Sequence, residues 1–287
     1  MEKIKISVII PTYNDWDNLS LCIESLKKQT LNPNLFEVII ANNNSDGTVS
    51  SLILPLPFFV RIIHEPQPGS YSARNTAIRH SKGKYLAFTD SDCLVSPSWL
   101  ENGLRYLEEG NTRVAGKIAL YDKNNNGNTL ASYYEKGYAF NQNQLAKEGI
   151  SVTANLMIRK EHINVVGLFN SSLFSGGDIE WNRRAILCDI PIIYASDVVV
   201  CHPIRACLAE IKSKRKRVIG GTYSKMGSLS LLKLLFPPFK SIKVLRGNNE
   251  LNLAQKFLSW SVCYYLKLYS FKIACLLKLK IISPSRS

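Results

Sequence analysis

The sequence has no Cys-x-x-Cys pair. Its seven cysteines (Cys22, Cys93, Cys188, Cys201, Cys207, Cys263 and Cys275) are scattered along the chain, without the spacing that zinc sites and dithiol redox motifs need. An odd, dispersed set of thiols fits a reducing cytosol. No Gly-x-Gly-x-x-Gly opens the first helix and no Gly-x-x-x-x-Gly-Lys-[Ser/Thr] occurs, so neither a dinucleotide fingerprint nor a P-loop has support and phosphate must be held otherwise. The start, Met1-Glu2-Lys3, leads into an apolar run at 6–10 that is too short for an export signal. The apolar stretch 257–277 is broken by Lys267 and Lys272, which argues against a spanning helix of about 20 uncharged residues. With 287 residues, 46% hydrophobic and 20% charged, the composition excludes disorder and suits one large core or two small ones.

Acidic side chains nearly vanish from the last third. Residues 203–287 hold 17 Lys and Arg against only Glu210 and Glu250, a net of +15, which leaves −1 for residues 1–202. The two stretches therefore face different partners, and a functional boundary is expected near Pro203. We read 1–205 as one domain, divided into 1–95 and 96–205, and 206–287 as a basic, mainly helical region.

The β-branched run Ile4-Lys5-Ile6-Ser7-Val8-Ile9-Ile10 reads as a strand buried on both faces of a parallel sheet. Leu19, Cys22, Ile23 and Leu26, at i, i+3, i+4 and i+7, predict a helix that Asp15 or Asp17 can cap. Phe36–Ala41, Val60–Ile63 and Tyr85–Thr89 read as further strands, with a helix between the last two that Ser70 or Ser72 caps and Gly83 ends. This alternation predicts an open α/β sheet, mostly parallel and flanked by helices. Ligands of such sheets bind beyond the carboxyl ends of the strands. There stand Thr12-Tyr13-Asn14, Asn42-Asn43-Asn44-Ser45-Asp46 and Asp90-Ser91-Asp92.

Two carboxylates one residue apart offer hard oxygen ligands, suited to Mn2+ or Mg2+ bridging a diphosphate. An Asp-x-Asp is also a common surface turn, but the strand delivering Asp90 favours the metal. His202 follows a strand predicted at Asp197–Cys201 and reads equally as a third ligand or as a hydrogen-bonded strand-end histidine. Arg205, three residues on, can meet a phosphate in bidentate fashion.

Ser-Val-Ile-Ile-Pro-Thr-Tyr-Asn at 7–14 resembles the opening of family 2 glycosyltransferases, which have the GT-A fold. Further motifs agree in order: 36–46, Ser72-Ala73-Arg74-Asn75, Thr89-Asp90-Ser91-Asp92, 155–159 with Val166-Gly167-Leu168-Phe169, and Gly177-Asp178-Ile179-Glu180 with Arg183 or Arg184. The likeness covers about 1–205. It implies a Rossmann-like nucleotide half and an acceptor half, and an inverting, metal-dependent transfer of a sugar from a nucleotide diphosphate to a hydroxyl of a glycan or lipid-linked acceptor. Polysaccharide or glycoconjugate synthesis is the implied setting. Pro11, Thr12 and Tyr13 would line the base pocket beside Asn14, Asn42 and Asn44. Arg74 would steady the nucleotide, Asp90 would contact ribose or metal next to Ser91, and Asp92 would bind metal. Asp178 falls at the general base, able to take the acceptor's proton. Two departures matter. Asn42 stands where relatives carry Asp, which leaves the base open, and Gly177 stands where relatives carry Glu, so Glu180 is the alternative catalytic carboxylate. At the head of a helix, Asp178 and Glu180 would equally serve the dipole.

In the basic region, Lys212–Arg217 is dense positive charge, and 257–277 mixes Trp260, Tyr264, Tyr265, Tyr269 and Phe271 with lysines. That mixture suits helices lying on an anionic membrane surface, with a packed helical subdomain as the alternative. The expected location is cytoplasmic, or peripheral on the cytoplasmic face of a membrane. Two competing functions are a nucleotidyltransferase, whose phosphate loop is absent, and a non-enzymatic membrane- or nucleic-acid-binding module. No nucleic acid is expected, because three carboxylate-bearing strand ends in one crevice would repel a polyanion.

Overall fold

The computed structural model describes residues 3–46, 56–123, 127–173, 175–223 and 226–283. The chain forms two compact units, one of Met1–Ala119, Asn141–Leu173 and Gly177–His202, the other of Leu120–Phe140, Phe174–Gly176 and Pro203–Ser287. The second unit thus gathers 120–140 with the basic stretch from Pro203 onward.

The elements run β1 (Ile6–Thr12), α1 (Trp16–Leu26), β2 (Phe36–Asn42), β3 (Phe59–His64), α2 (Ser70–His80), β4 (Tyr85–Phe88), β5 (Leu94–Val95), α3 (Trp99–Glu108), β6 (Arg113–Tyr121), α4 (Leu130–Tyr138) and α5 (Gln142–Lys147). They continue with β7 (Leu156–Arg159), α6 (His162–Val166), α7 (Gly177–Leu187), β8 (Ile192–Pro203), α8 (Leu208–Thr222), α9 (Ser228–Leu232), α10 (Ile242–Arg246) and α11 (Leu253–Lys278). The strand order is β3-β2-β1-β4-β7-β6-β8-β5. β3, β2, β1 and β4 are mutually parallel, β7 is antiparallel to β4 and β6, and β5 to β8. The open α/β sheet is as expected, with its second half antiparallel.

Every residue of β1 is buried, as its apolar run requires. α1 buries Leu19, Cys22, Ile23 and Leu26, the stripe read from their spacing. The expected caps differ. Asp15 precedes α1 without capping it; its Oδ1 accepts from Asn18 Nδ2 and its Oδ2 from Ser91 Oγ at 2.7 Å. α2 starts after Gly69 with no side-chain cap, and Ser72 Oγ donates to Gln67 instead. α2 also ends at His80, ahead of Gly83. Gly83 is required for another reason: a Cβ there would lie 2.5 Å from Ser7 N on β1. Between β6 and β7 the chain carries α4 and α5.

A core of Ile9, Ile39, Leu86, Phe88, Ile158 and Trp181 joins the sheet to α2 and α7. In the second unit α4, α8 and α11 meet through Ala131, Ile211, Val262 and Leu266. Among the described residues no helix is long and apolar enough to cross a membrane.

Candidate functional site

The register sets Thr12 on β1 opposite Asn42 on β2 and Ile9 opposite Phe88 on β4. The polar strand ends at 12–14, 42–46 and 90–92 therefore share one edge of the sheet. The first two are tied together. Asn14 N donates to Ser45 Oγ, Asp46 N to Asn14 Oδ1, and Ser45 N to Asn42 Oδ1 at 2.8 Å. Asn14 and Asn44 both have positive φ, 49° and 63°, a conformation asparagine tolerates better than most residues. Pro11 and Thr12 are buried and Tyr13 is half exposed at the rim. Thr12 Oγ1 is buried without a partner among the described residues.

The carboxylates divide into two groups. Asp90 Oδ1 accepts from Arg74 Nη2 at 2.5 Å, and the Arg74 guanidinium lies 5.6 Å from the centre of the Tyr71 ring. Tyr71 Oη in turn donates to Asp178 Oδ1 at 3.2 Å. Asp90, Arg74, Tyr71 and Asp178 thus form a continuous polar chain from β4 across α2 to the head of α7. Asp178 also accepts from the Ile179 amide. Burial pushes its carboxyl above the usual Asp range, with those hydrogen bonds and Arg74 pulling partly the other way. Burial, and next the Asp178 charge, push the Tyr71 phenol up as well, so at neutral pH it is a donor.

Asp92 belongs to the other group. Its Oδ2 lies 3.5 Å from His202 Nε2, and Asp92, Cys93 and His202 place one ligand atom each within 4.8 Å of one another. A carboxylate and an imidazole on one spot fit Mn2+ or Mg2+ with open positions left for other oxygens. Cys93 adds little to the set. Burial first, then Asp90 and Asp92, raise its thiol well above the ordinary value, and the thiolate is the ligand form. Asp90 stands outside the cluster, facing Arg74, and Ser91 Oγ tethers the loop to Asp15.

Glu180 is paired elsewhere. Both its oxygens accept from Arg184 one helical turn on, at 2.7 and 3.1 Å, and Arg184 also donates to the carbonyls of Val166 and Leu168. Of the two candidate carboxylates, Asp178 alone joins the chain to Asp90.

Several residues here have roles that the sequence did not reveal. Asn43 is buried; its amide donates to the carbonyls of Glu65 and Gln67 and its Oδ1 accepts from Gly69 N. Asn75 pairs both ways with the backbone of Phe169, so the Arg and Asn of that motif have separate duties. Tyr71 explains the departure at 177, because a Cβ on Gly177 would lie 2.7 Å from its ring. Gly177→Ala is expected to cost about 1–3 kcal/mol by overpacking. Urea unfolding should show a smaller penalty on a Tyr71→Leu background, since the two changes share one contact.

The sequence model for glycosyl transferase family 2 matches residues 7–167. The chain belongs to that family. Glycosyltransferase AglE of Haloferax volcanii is 34% identical over 219 residues, 74% of this chain and 71% of that protein. An uncharacterized glycosyltransferase of Methanocaldococcus jannaschii, MJ1057, is 26% identical over 205 residues, 69% of each chain. Among solved structures, the mannosyltransferase PcManGT of Pyrobaculum calidifontis, in complex with GDP-Man and Mn2+, matches with a TM-score of 0.61 at 18% identity, covering 97% of this chain and 88% of that one. S. aureus TarS 1–349 in complex with UDP-GlcNAc matches at 0.53 with 16% identity, covering 97% and 91%. The fold is shared with these transferases, and this glycosyltransferase carries its polar strand ends, Asp90-Ser91-Asp92 among them, on the first half of the sheet.

Proposed function

We propose that this glycosyltransferase moves a sugar from a nucleotide diphosphate to an acceptor hydroxyl with inversion, using Mn2+ or Mg2+ held by Asp92 and His202. The single observation that carries the reading is the approach of His202 to Asp92 at the strand end bearing the Asp-x-Asp. The cation, when bound, would neutralise charge on the leaving diphosphate. Thr12, Tyr13, Asn14 and Asn44 border the nucleotide. Asn42 has its carbonyl committed to Ser45 N, so it offers the base its amide N–H, a donor where relatives bring an acceptor. Arg74 holds Asp90 in place, and Asp178 takes the acceptor's proton. A carboxylate raised by burial is a better base than an exposed one, and one deprotonated at neutral pH still accepts.

The acceptor is a glycan or lipid-linked hydroxyl. For the second unit we read contact with an anionic membrane surface, because Phe236, Phe239 and Phe257 are each about two-thirds exposed and a groove of about 540 Å³ beside two of them is edged by Arg246 and Lys256. A cytoplasmic location agrees with seven free cysteines.

Thermal-shift titration tests the donor. A nucleoside diphosphate sugar at about 100 times its Kd should stabilise the protein by about 2.7 kcal/mol, and only with Mn2+ or Mg2+ present. A shift unaffected by chelator would remove the metal from the reading.

A further inference from the structure

The second unit carries more positive charge in one half-buried spot than its neighbours neutralise. On α8, Lys214 and Arg217 are three residues apart and so adjacent on the helix surface, with Arg215 beside them. Arg205 precedes the helix, and α4 supplies Glu135, buried to 2% exposure. Arg205 Nη1 donates to Glu135 Oε2 at 3.1 Å, and Arg215 Nη2 donates to the Tyr134 hydroxyl at 3.1 Å. Among the described residues no carboxylate comes within ion-pair distance of Lys214, Arg215 or Arg217. The Lys214 Nζ lies 5.0 Å from the centre of the Phe140 ring, and Arg217 Nε is buried with no acceptor among the described residues. Arg205, Arg215 and Arg217 all act on the Lys214 charge, and Glu135 is the acid that opposes them.

Such a cluster is costly. Cations withdrawn from water need a counter-charge, and one left without it is strongly unfavourable. The strain registers on Lys214, whose ammonium is pulled down to about 8, first by burial and next by Arg205, with Glu135 opposing. Diffuse attraction to an anionic surface does not account for this spot, because residues that act in that way keep their charges at the solvated tips of long side chains. An oxyanion with several acceptor oxygens does, since guanidinium groups and an ammonium bind phosphoryl oxygens through short, charge-assisted hydrogen bonds.

We propose that Lys214 and Arg217, with Arg205 held by Glu135, form a binding site for a phosphoryl group. The site stands on residues of the second unit alone and does not depend on the transferase chemistry assigned above. Its phosphoryl group comes either from the nucleotide diphosphate or from a lipid phosphate.

The test is calorimetric titration of the full chain with inorganic pyrophosphate in the presence of chelator, so that no divalent cation takes part. Wild-type protein should bind, and Lys214→Gln combined with Arg217→Gln should weaken binding about tenfold or more, the loss expected from charge-assisted hydrogen bonds. The second readout is thermal: without anion, Lys214→Met should raise Tm, because an uncompensated cation is removed. A structural role in holding Glu135 or Phe140 would lower it. Two further titrations separate the sources. A drop in GDP and UDP affinity with Mn2+ assigns the site to the donor, and a drop only in binding to vesicles containing phosphatidic acid assigns it to a lipid phosphate. Pyrophosphate binding that is absent in wild type, or unchanged in the double variant, would overturn the proposal.

Discussion

Replacing Asp92 by asparagine is expected to lower the rate of sugar transfer by about 10³-fold while the protein stays folded. Polarisation by a bound cation supplies several kcal/mol of transition-state charge stabilisation, and each 1.36 kcal/mol is tenfold in rate. The fold should hold because Asp92 is partly exposed, with 29% of its side-chain surface open, and it contributes to no core cluster. His202, only 4% exposed at the side chain, makes the comparison informative. His202→Gln supplies a carbonyl oxygen that can still ligate a cation, and should retain part of the metal response that Asp92→Asn loses. The measurement is transfer or hydrolysis of a nucleoside diphosphate sugar across an Mn2+ titration, beside circular dichroism of each variant. If Asp92→Asn turned over at the wild-type rate, the metal assignment would be wrong.

The parts of the fold set by local chemistry were legible in the sequence. Short apolar runs gave β1, β2, β3 and β4 to within a residue or two, and a 3.6-residue apolar stripe gave α1. Helix ends were less legible, because partners distant in the chain claim the capping groups. Asp15 looked like a cap and is drawn to Ser91, 76 residues away. Gly69 starts α2 at φ 129°, with its amide held by Asn43, so the serines after it are released from capping. The candidate site divides in the same way. Its strand-end residues could be named because strand ends are visible in sequence. The link from Tyr71 to Asp178 and the approach of His202 to Asp92 span 107 and 110 residues of chain, and only the folded sheet brings them together. Gly177 looked like a missing acid until the Tyr71 ring was found against it. Glu135 gave no signal at all and Lys214 showed only as part of a basic run, because a lone acid on one helix opposite a basic run on another has no spacing to read.

Asp178→Asn is expected to lower kcat by about 10²- to 10⁴-fold, the range for removing a general base, with donor binding by thermal shift unchanged. Glu180→Gln should behave differently, since Glu180 holds Arg184. For a pair about one-third exposed on each side, its loss should cost stability of about 0.2–1 kcal/mol and leave kcat near wild type. A pH profile separates a base from a merely buried acid. The active form of Asp178 is ionised, and burial raises its pKa, so the acid limb of kcat/KM should lie above the ordinary Asp range. Tyr71 donates a hydrogen bond that favours the ionised form, and Tyr71→Phe removes it. The limb should then move to still higher pH, with activity lost earlier as pH falls and recovered on the alkaline side. A limb that stays put in Tyr71→Phe, together with a wild-type rate in Asp178→Asn, would transfer the role of base to another group. A large kcat loss in Glu180→Gln without loss of stability would name that group.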